Sequence, residues 1–354
     1  PPTPTPPRMS TDAIATLRRH GVSEAILARS SGGSIDSLIR LTQYRVKTRQ
    51  LPSAIWADSI PAYRNAAVMV PLIVSPDGLL HVVLTQRSDT LRSHGGDTAL
   101  PGGRFEFSDT SLERTARREA SEELGLPDHP FRVLTLCELQ PFMSANELAV
   151  TPYVMLLQDE HLRLSPNPRE VQQVFTIPLA AFLFESPPAW LRTHLHVDQL
   201  GTHPESGFEP PRNDPDEWHT AYDVIWLSNY RYRRHTFWDA RSPVRGLTRC
   251  VSAIAGDRST DFCSDILIHA ASSAYRQRPQ FKLTAPLQPR PVDMLYFAFA
   301  SVQRTDARSV TPRMRLPRTM HDVTSVDAQI TQRVVAASEL DPRTALEQIA
   351  RAKL

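Results

Sequence analysis

The residues best suited to chemistry lie in one short stretch, Arg117-Arg118-Glu119-Ala120-Ser121-Glu122-Glu123-Leu124-Gly125-Leu126. On a helix, Glu119 and Glu123 stand one turn apart on a shared face, and Glu122 lies beside that face. Three carboxylates within five residues repel one another unless a cation neutralises them. A hard divalent ion such as Mg²⁺ takes oxygen ligands and suits such a set. Arg118 precedes the cluster and is placed to orient one carboxylate through a bidentate pair of bonds. Taken alone, the segment also reads as a solvated acidic helix face, the commoner fate of surface glutamates.

The elements around this stretch must position it. Gly102-Gly103 lies just upstream, where glycine lets backbone amides approach a phosphate. The helix itself is predicted over Ser111–Leu124, with Asp109 or Ser111 as its cap and Gly125 at its end. Apolar, β-rich runs at 65–75 and 79–87 flank Pro76-Asp77-Gly78, which predicts a hairpin with a short turn. Further strands are predicted at 131–140 and 148–158, and 170–183 reads as a strand, a proline break and a short helix. Residues 219–238 alternate enough for a strand or hairpin, and 264–277 reads as a helix. The stretch from Thr11 to about Arg49 reads as two helices, and 341–352 as a late one. Strands alternating with helices in this way predict an α/β or α+β fold.

Two patterns around the carboxylates carry a resemblance. Arg118, Glu119, Ala120, Glu122, Glu123, Gly125 and Leu126 fill the second half of the Nudix box. In the first half, counted from Gly103, Asp109 stands where a Glu belongs, and eight rather than seven residues separate it from Arg118. Just before that box, Leu84, Thr85, Arg87, Ser88, Arg92, Gly96, Pro101, Gly102 and Gly103 fall in register with the signature of the coenzyme A pyrophosphatase-like branch. Val83 and Leu100 replace its Leu and Phe. The chain therefore resembles that branch of the Nudix hydrolases, most strongly over 83–126.

The resemblance implies an α/β/α sandwich around a mixed β-sheet, with the box as a loop–helix–loop. It implies Mg²⁺ (or Mn²⁺) held by Glu119 and Glu123, with Glu122 as a further ligand or a water-activating base and Arg118 beside them. Glu106 and Glu170 are weaker ligand candidates that also read as solvated or structural side chains, and Glu147 is a weak candidate base. Arg87, Arg92, Gly102 and Gly103 are the candidate substrate-binding residues; guanidinium groups grip phosphate through paired hydrogen bonds. Either arginine also fits a surface or structural salt bridge. The implied reaction cleaves the diphosphate of coenzyme A or an acyl-CoA ester to 3′,5′-ADP and (acyl-)4′-phosphopantetheine. Another nucleoside diphosphate derivative, such as NADH or a nucleotide sugar, and a non-catalytic coenzyme A-binding module stand as alternatives.

Composition bounds the rest. With 40 basic against 38 acidic side chains, charge gives no case for a nucleic-acid partner. No apolar run approaches the ~20 residues that a membrane span needs. The N-terminal residues lack the basic-then-apolar pattern of a secretory leader, and the start at Pro1 reads as a processed or incomplete terminus. Three widely spaced cysteines predict neither a disulfide framework nor a structural zinc site, and point to a reducing compartment.

The expected organisation is a disordered Pro-rich tail (1–10), an N-terminal helical region (11–59) and a Nudix domain (60–282) with insertions near 186–218 and 249–263. A Pro/Arg-rich extension (283–354) follows. Its last residues, Ala352-Lys353-Leu354, are similar to the Ser-Lys-Leu address read by the peroxisomal import receptor. The expected location is the peroxisome, with the cytoplasm or mitochondrion as alternatives.

Overall fold

The structure, a computed structural model, describes residues 11–46, 60–91, 95–144, 148–159, 162–195, 218–226, 230–239, 244–245, 263–291 and 294–295. The tail 1–10, Arg92, Glu147, most of both expected insertions, the late helix at 341–352 and Ala352, Lys353 and Leu354 lie outside the described residues.

Where the sequence predicts two N-terminal helices there are three: α1 (Thr11–Arg19), α2 (Glu24–Arg29) and α3 (Gly32–Gln43). Serines at the two breaks explain the difference. Ser23 accepts from the Ile26 amide and Ser31 from the Ser34 amide, and each starts a new helix by satisfying an otherwise orphaned N–H.

The hairpin forms as predicted, with β1 (Asn65–Val74) and β2 (Leu80–Arg87) antiparallel. Gly78 at its turn has φ +81°, and a Cβ there would lie 2.8 Å from the Ser31 amide nitrogen. The turn is therefore pressed against the α2–α3 junction, where the Gly78 carbonyl accepts from the Ser34 hydroxyl at 2.6 Å. The remaining strands of the main sheet are β3 (Thr98–Ala99), β4 (Gly102–Arg104), β5 (Val133–Glu138), β6 (Phe142–Met143), β7 (Ala149–Leu157) and β8 (Val171–Pro178). β1 runs parallel to β7 and antiparallel to β2 and β4, so the sheet is mixed. β7 is buried along its whole length, as expected of an apolar strand covered on both faces.

Alternation along the strands sorts side chains into two layers. Ala67 and Met69 of β1 and Met155 and Leu157 of β7 meet Ala116, Ala120 and Leu124 of helix α4 (Leu112–Leu124). Val70 and Leu72 of β1, Leu80, Val82 and Leu84 of β2 and Leu156 of β7 belong to the opposite layer. That layer also holds Leu17, Ile26, Ile35, Leu38 and Leu41 of α1–α3 and Ile266, Leu267 and Ala270 of α5 (Cys263–Tyr275). Each such Leu or Ile contributes about 2 kcal/mol by leaving water. The result is the α/β/α sandwich with a mixed sheet.

The helix predicted after Pro178 is a 3₁₀ turn, Leu179–Leu183, and a single helical turn follows at Ala189–Arg192. β9 (His219–Trp226) and β10 (Tyr230–Phe237) pair antiparallel and, with β11 (Val244–Arg245), make a second sheet. No helix among the described residues is long and apolar enough to cross a membrane.

Candidate active site

Helix α4 is fixed at both ends by its own sequence. Ser111, not Asp109, is the N-cap and accepts from the Arg114 amide at 3.2 Å. At the other end Gly125 takes the left-handed conformation (φ +67°), with its N–H on Ser121 and that of Leu126 on Ala120. Ala116 and Ala120 are small enough to bring the helix close to the sheet, and with it the carboxylates.

Adjacent arginines latch this helix in opposite directions. Arg117 is buried, donates to Glu113, the Val133 carbonyl and the Thr135 hydroxyl, and ties α4 to β5. Arg118 faces the other way, onto the loop after β4. Its Nε and NH2 groups make a bidentate pair with Asp109 at 3.1 Å each, and NH2 also donates to the Arg104 carbonyl. Its NH1 group reaches Glu119 at 3.0 Å and Glu122 at 3.2 Å. The bidentate partner is thus Asp109, with single bonds to the glutamates. The Arg118 bonds, and less strongly the Glu106 amide and Thr115 hydroxyl, hold the Asp109 carboxyl down at about 2 against the pull of burial.

The three box glutamates differ in environment. Glu123 is 5 % exposed, the side chain of Glu119 18 % and that of Glu122 55 %. Glu119 and Glu123 turn inward toward Gly102-Gly103, while Glu122 stays at the rim against Arg118. A Cβ on Gly103 would overlap the Glu119 carboxylate, and one on Gly102 would lie 2.5 Å from the Ala67 carbonyl oxygen. Close approach to the β1 backbone requires glycine at 102, while a side chain at 103 would displace the Glu119 carboxylate.

Burial pushes the Glu123 carboxyl up to about 8, opposed by Arg87 and the Gly102 backbone and reinforced by the charges of Glu119 and Glu170. Glu119 is also raised, first by burial and then by Glu122 and Glu170, with Arg118 opposing. Glu170 is thus part of the carboxylate cluster. It arrives there because the loop before β8 is tied to the end of α4, Ser165 N–H donating to Leu124 and Asn167 N–H to Glu123. In turn the Glu170 carbonyl accepts from the Ser88 amide, beside Arg87. The sequence offered Glu170 only as a weak candidate, since its approach depends on this loop crossing. Glu106 is 61 % exposed at its side chain and lies 3.8 Å from Arg118.

Arg87 ends β2 next to the cluster, and its buried Nε has no hydrogen-bond partner among the described residues. Inward carboxylates that repel one another, a close-packed glycine pair and an incompletely bonded guanidinium make a group suited to a divalent cation and an anionic ligand. The donor set is all oxygen, which fits Mg²⁺ or Mn²⁺.

Residues 63–198 match the NUDIX domain family. The chain carries a Nudix domain. The chain is similar to Nudix hydrolase 15, mitochondrial, of Arabidopsis thaliana, 43 % identical over 121 residues (34 % of this chain, 42 % of that protein). It is similar to the peroxisomal coenzyme A diphosphatase NUDT7 of Mus musculus, 41 % identical over 117 residues (33 % and 48 %). It is also similar to peroxisomal coenzyme A diphosphatase 1 of Saccharomyces cerevisiae, 34 % identical over 176 residues (42 % and 50 %). The chain spans about half the length of these relatives.

Proposed function

We propose that this chain hydrolyses the diphosphate bond of coenzyme A and its acyl esters, giving 3′,5′-ADP and (acyl-)4′-phosphopantetheine. The observation that carries the reading is the inward pairing of Glu119 and Glu123 against Gly102-Gly103, with Arg87 alongside. Glu119 and Glu123 would hold Mg²⁺ or Mn²⁺, which when bound neutralises phosphate charge and lowers the pKa of a water.

The protein's own groups do the positioning. Arg118 keeps Glu119 in place and steadies Glu122 at the rim, where Glu122 can accept a proton from the attacking water. Arg87 offers its guanidinium to a phosphate oxygen, and the Gly102-Gly103 backbone approaches the same group. The similarity to two coenzyme A diphosphatases favours coenzyme A, together with Arg87 and the register of its motif. The plant relatives, Nudix hydrolases 15 and 22, carry names that specify no substrate, so another nucleoside diphosphate derivative such as NADH or a nucleotide sugar stands as the second reading.

The test is product analysis after incubating the purified protein with Mg²⁺ and, separately, coenzyme A, acetyl-CoA, NADH and a nucleotide sugar. Release of 3′,5′-ADP from the first two, and slow or no cleavage of the others, supports the reading. Faster cleavage of NADH or the sugar nucleotide transfers it to the second, and binding of coenzyme A without turnover makes the chain a non-catalytic module.

A further inference from the structure

A second group of potential ligands lies at the other end of the hairpin. One carboxylate oxygen of Asp77 and one ring nitrogen from each of His81 and His194 lie within 4.8 Å of one another. Asp77 Oδ2 and His194 Nε2 are 3.1 Å apart. Two ligands of a tetrahedral cation with bonds of about 2.0–2.1 Å stand roughly 3.3 Å apart, so this pair has the required spacing.

The surroundings hold each group in place. His81 is 7 % exposed, its Nδ1 lies 3.4 Å from the Thr176 hydroxyl, and its ring meets that of His194 edge-on at 5.8 Å. The other oxygen of Asp77 accepts from the Ser75 hydroxyl and from the Leu79 amide, which leaves Oδ2 aimed at the histidines. Fixing a ligand through its second polar atom is how proteins orient metal-binding imidazoles and carboxylates.

We propose that Asp77, His81 and His194 bind a first-row transition-metal cation of the zinc class, with His81 contributing Nε2. Two imidazoles and one carboxylate suit zinc, cobalt or nickel, whereas Mg²⁺ takes oxygen ligands. The site is separate from the carboxylate face of α4. His81 and Arg87 sit at opposite ends of β2, about 20 Å apart along an extended strand. Bound there, the cation joins the β1–β2 turn to the segment that follows the helical turn Ala189–Arg192. Three protein ligands leave a coordination position for water.

The test is competition for Zn²⁺ against a chromophoric chelator, using the full chain stripped of metal and then supplied with excess Mg²⁺. The unsubstituted protein should bind one zinc equivalent more than either Asp77→Asn or His194→Gln. Both substitutions fall on partly exposed side chains, and circular dichroism checks that the fold is kept. Thr176→Val, which removes only the support of the His81 ring, should weaken this zinc about 10-fold. Glu123→Gln should keep this equivalent, whatever becomes of the proposed hydrolysis. Equal zinc stoichiometry in the unsubstituted, Asp77→Asn and His194→Gln proteins, or no zinc held against the chelator, would make the group an Asp–His ion pair and overturn the proposal.

Discussion

Two of the places where titratable side chains are buried have opposite consequences. In the second sheet, His219 Nε2 and His235 Nδ1 lie 3.0 Å apart, the rings stack, and His235 Nε2 meets the Leu283 carbonyl at 3.0 Å. The carbonyl can only accept, so His235 donates to it and in turn accepts from His219. Both rings are neutral: burial pulls His219 down to about 3, helped by His235, and pulls His235 down to about 4. Beside α4, by contrast, the like charges of Glu119, Glu123 and Glu170 oppose one another. Arg118 and Arg87 offset only part of the repulsion, and Glu123 is driven up to about 8. Burial is common to both regions; only the second leaves charge of one sign uncompensated. That imbalance, rather than burial, marks a place built for a ligand.

The sharpest way to break the comparison is Glu123→Gln. It keeps the shape of the side chain, so circular dichroism should be unchanged, while Mg²⁺-dependent hydrolysis falls by at least about 10²–10³-fold. Unaltered turnover would leave the carboxylate cluster no more functional than the histidine pair.

The next largest effect is on stability against pH, where the two regions pull in opposite directions. Unfolded Glu123 releases its proton near 4.5 and folded Glu123 near 8, so its contribution is whole below 4.5 and is lost as pH rises to about 8. This amounts to on the order of 3–5 kcal/mol. The histidines protonate near 6.5 when unfolded and near 3–4 when folded, so theirs is whole above 6.5 and is lost as pH falls toward 3–4. Urea unfolding in EDTA should show these groups giving maximal stability near pH 6.5. Mg²⁺ should abolish the alkaline decline, since it binds the ionised carboxylates, and leave the acid decline in place.

Arg117→Ala sharpens the contrast within α4. Its charge is paired with Glu113, so urea unfolding should show a loss of about 2–3 kcal/mol with kcat/KM of the folded protein unchanged. Smallest is Ser111→Ala, which removes only the cap of the same helix and should cost about 1 kcal/mol by thermal melting.

Local patterns were legible where the chain acts on its near neighbours. The β1–β2 hairpin, the span of α4 and its stop at Gly125 follow from alternation, helical periodicity and a left-handed glycine. The facing of Glu119 and Glu123 follows from a four-residue spacing on one helix. What was illegible is what distant segments bring. The two N-terminal breaks rest on Ser23 and Ser31 acting as caps, which apolar periodicity smooths over. Asp109 was read by its place in the box, and its bidentate pairing with Arg118 across nine residues shows only in the folded loop. Glu170 reaches the cluster by a loop tied to the end of α4. His81 and His194 are more than a hundred residues apart in sequence and meet only because the chain returns to the hairpin turn.

The sheet owes one of its two coverings to helices outside the matched span. α1–α3 precede residue 63 and α5 follows residue 198, yet together they shield Leu72, Val82, Leu84 and Leu156. A fragment trimmed to 63–198 would retain Glu119, Glu122, Glu123 and Glu170 while baring an oily slab to water. Such a fragment should self-associate before it could be assayed, so recombinant boundaries belong outside Thr11 and Leu295.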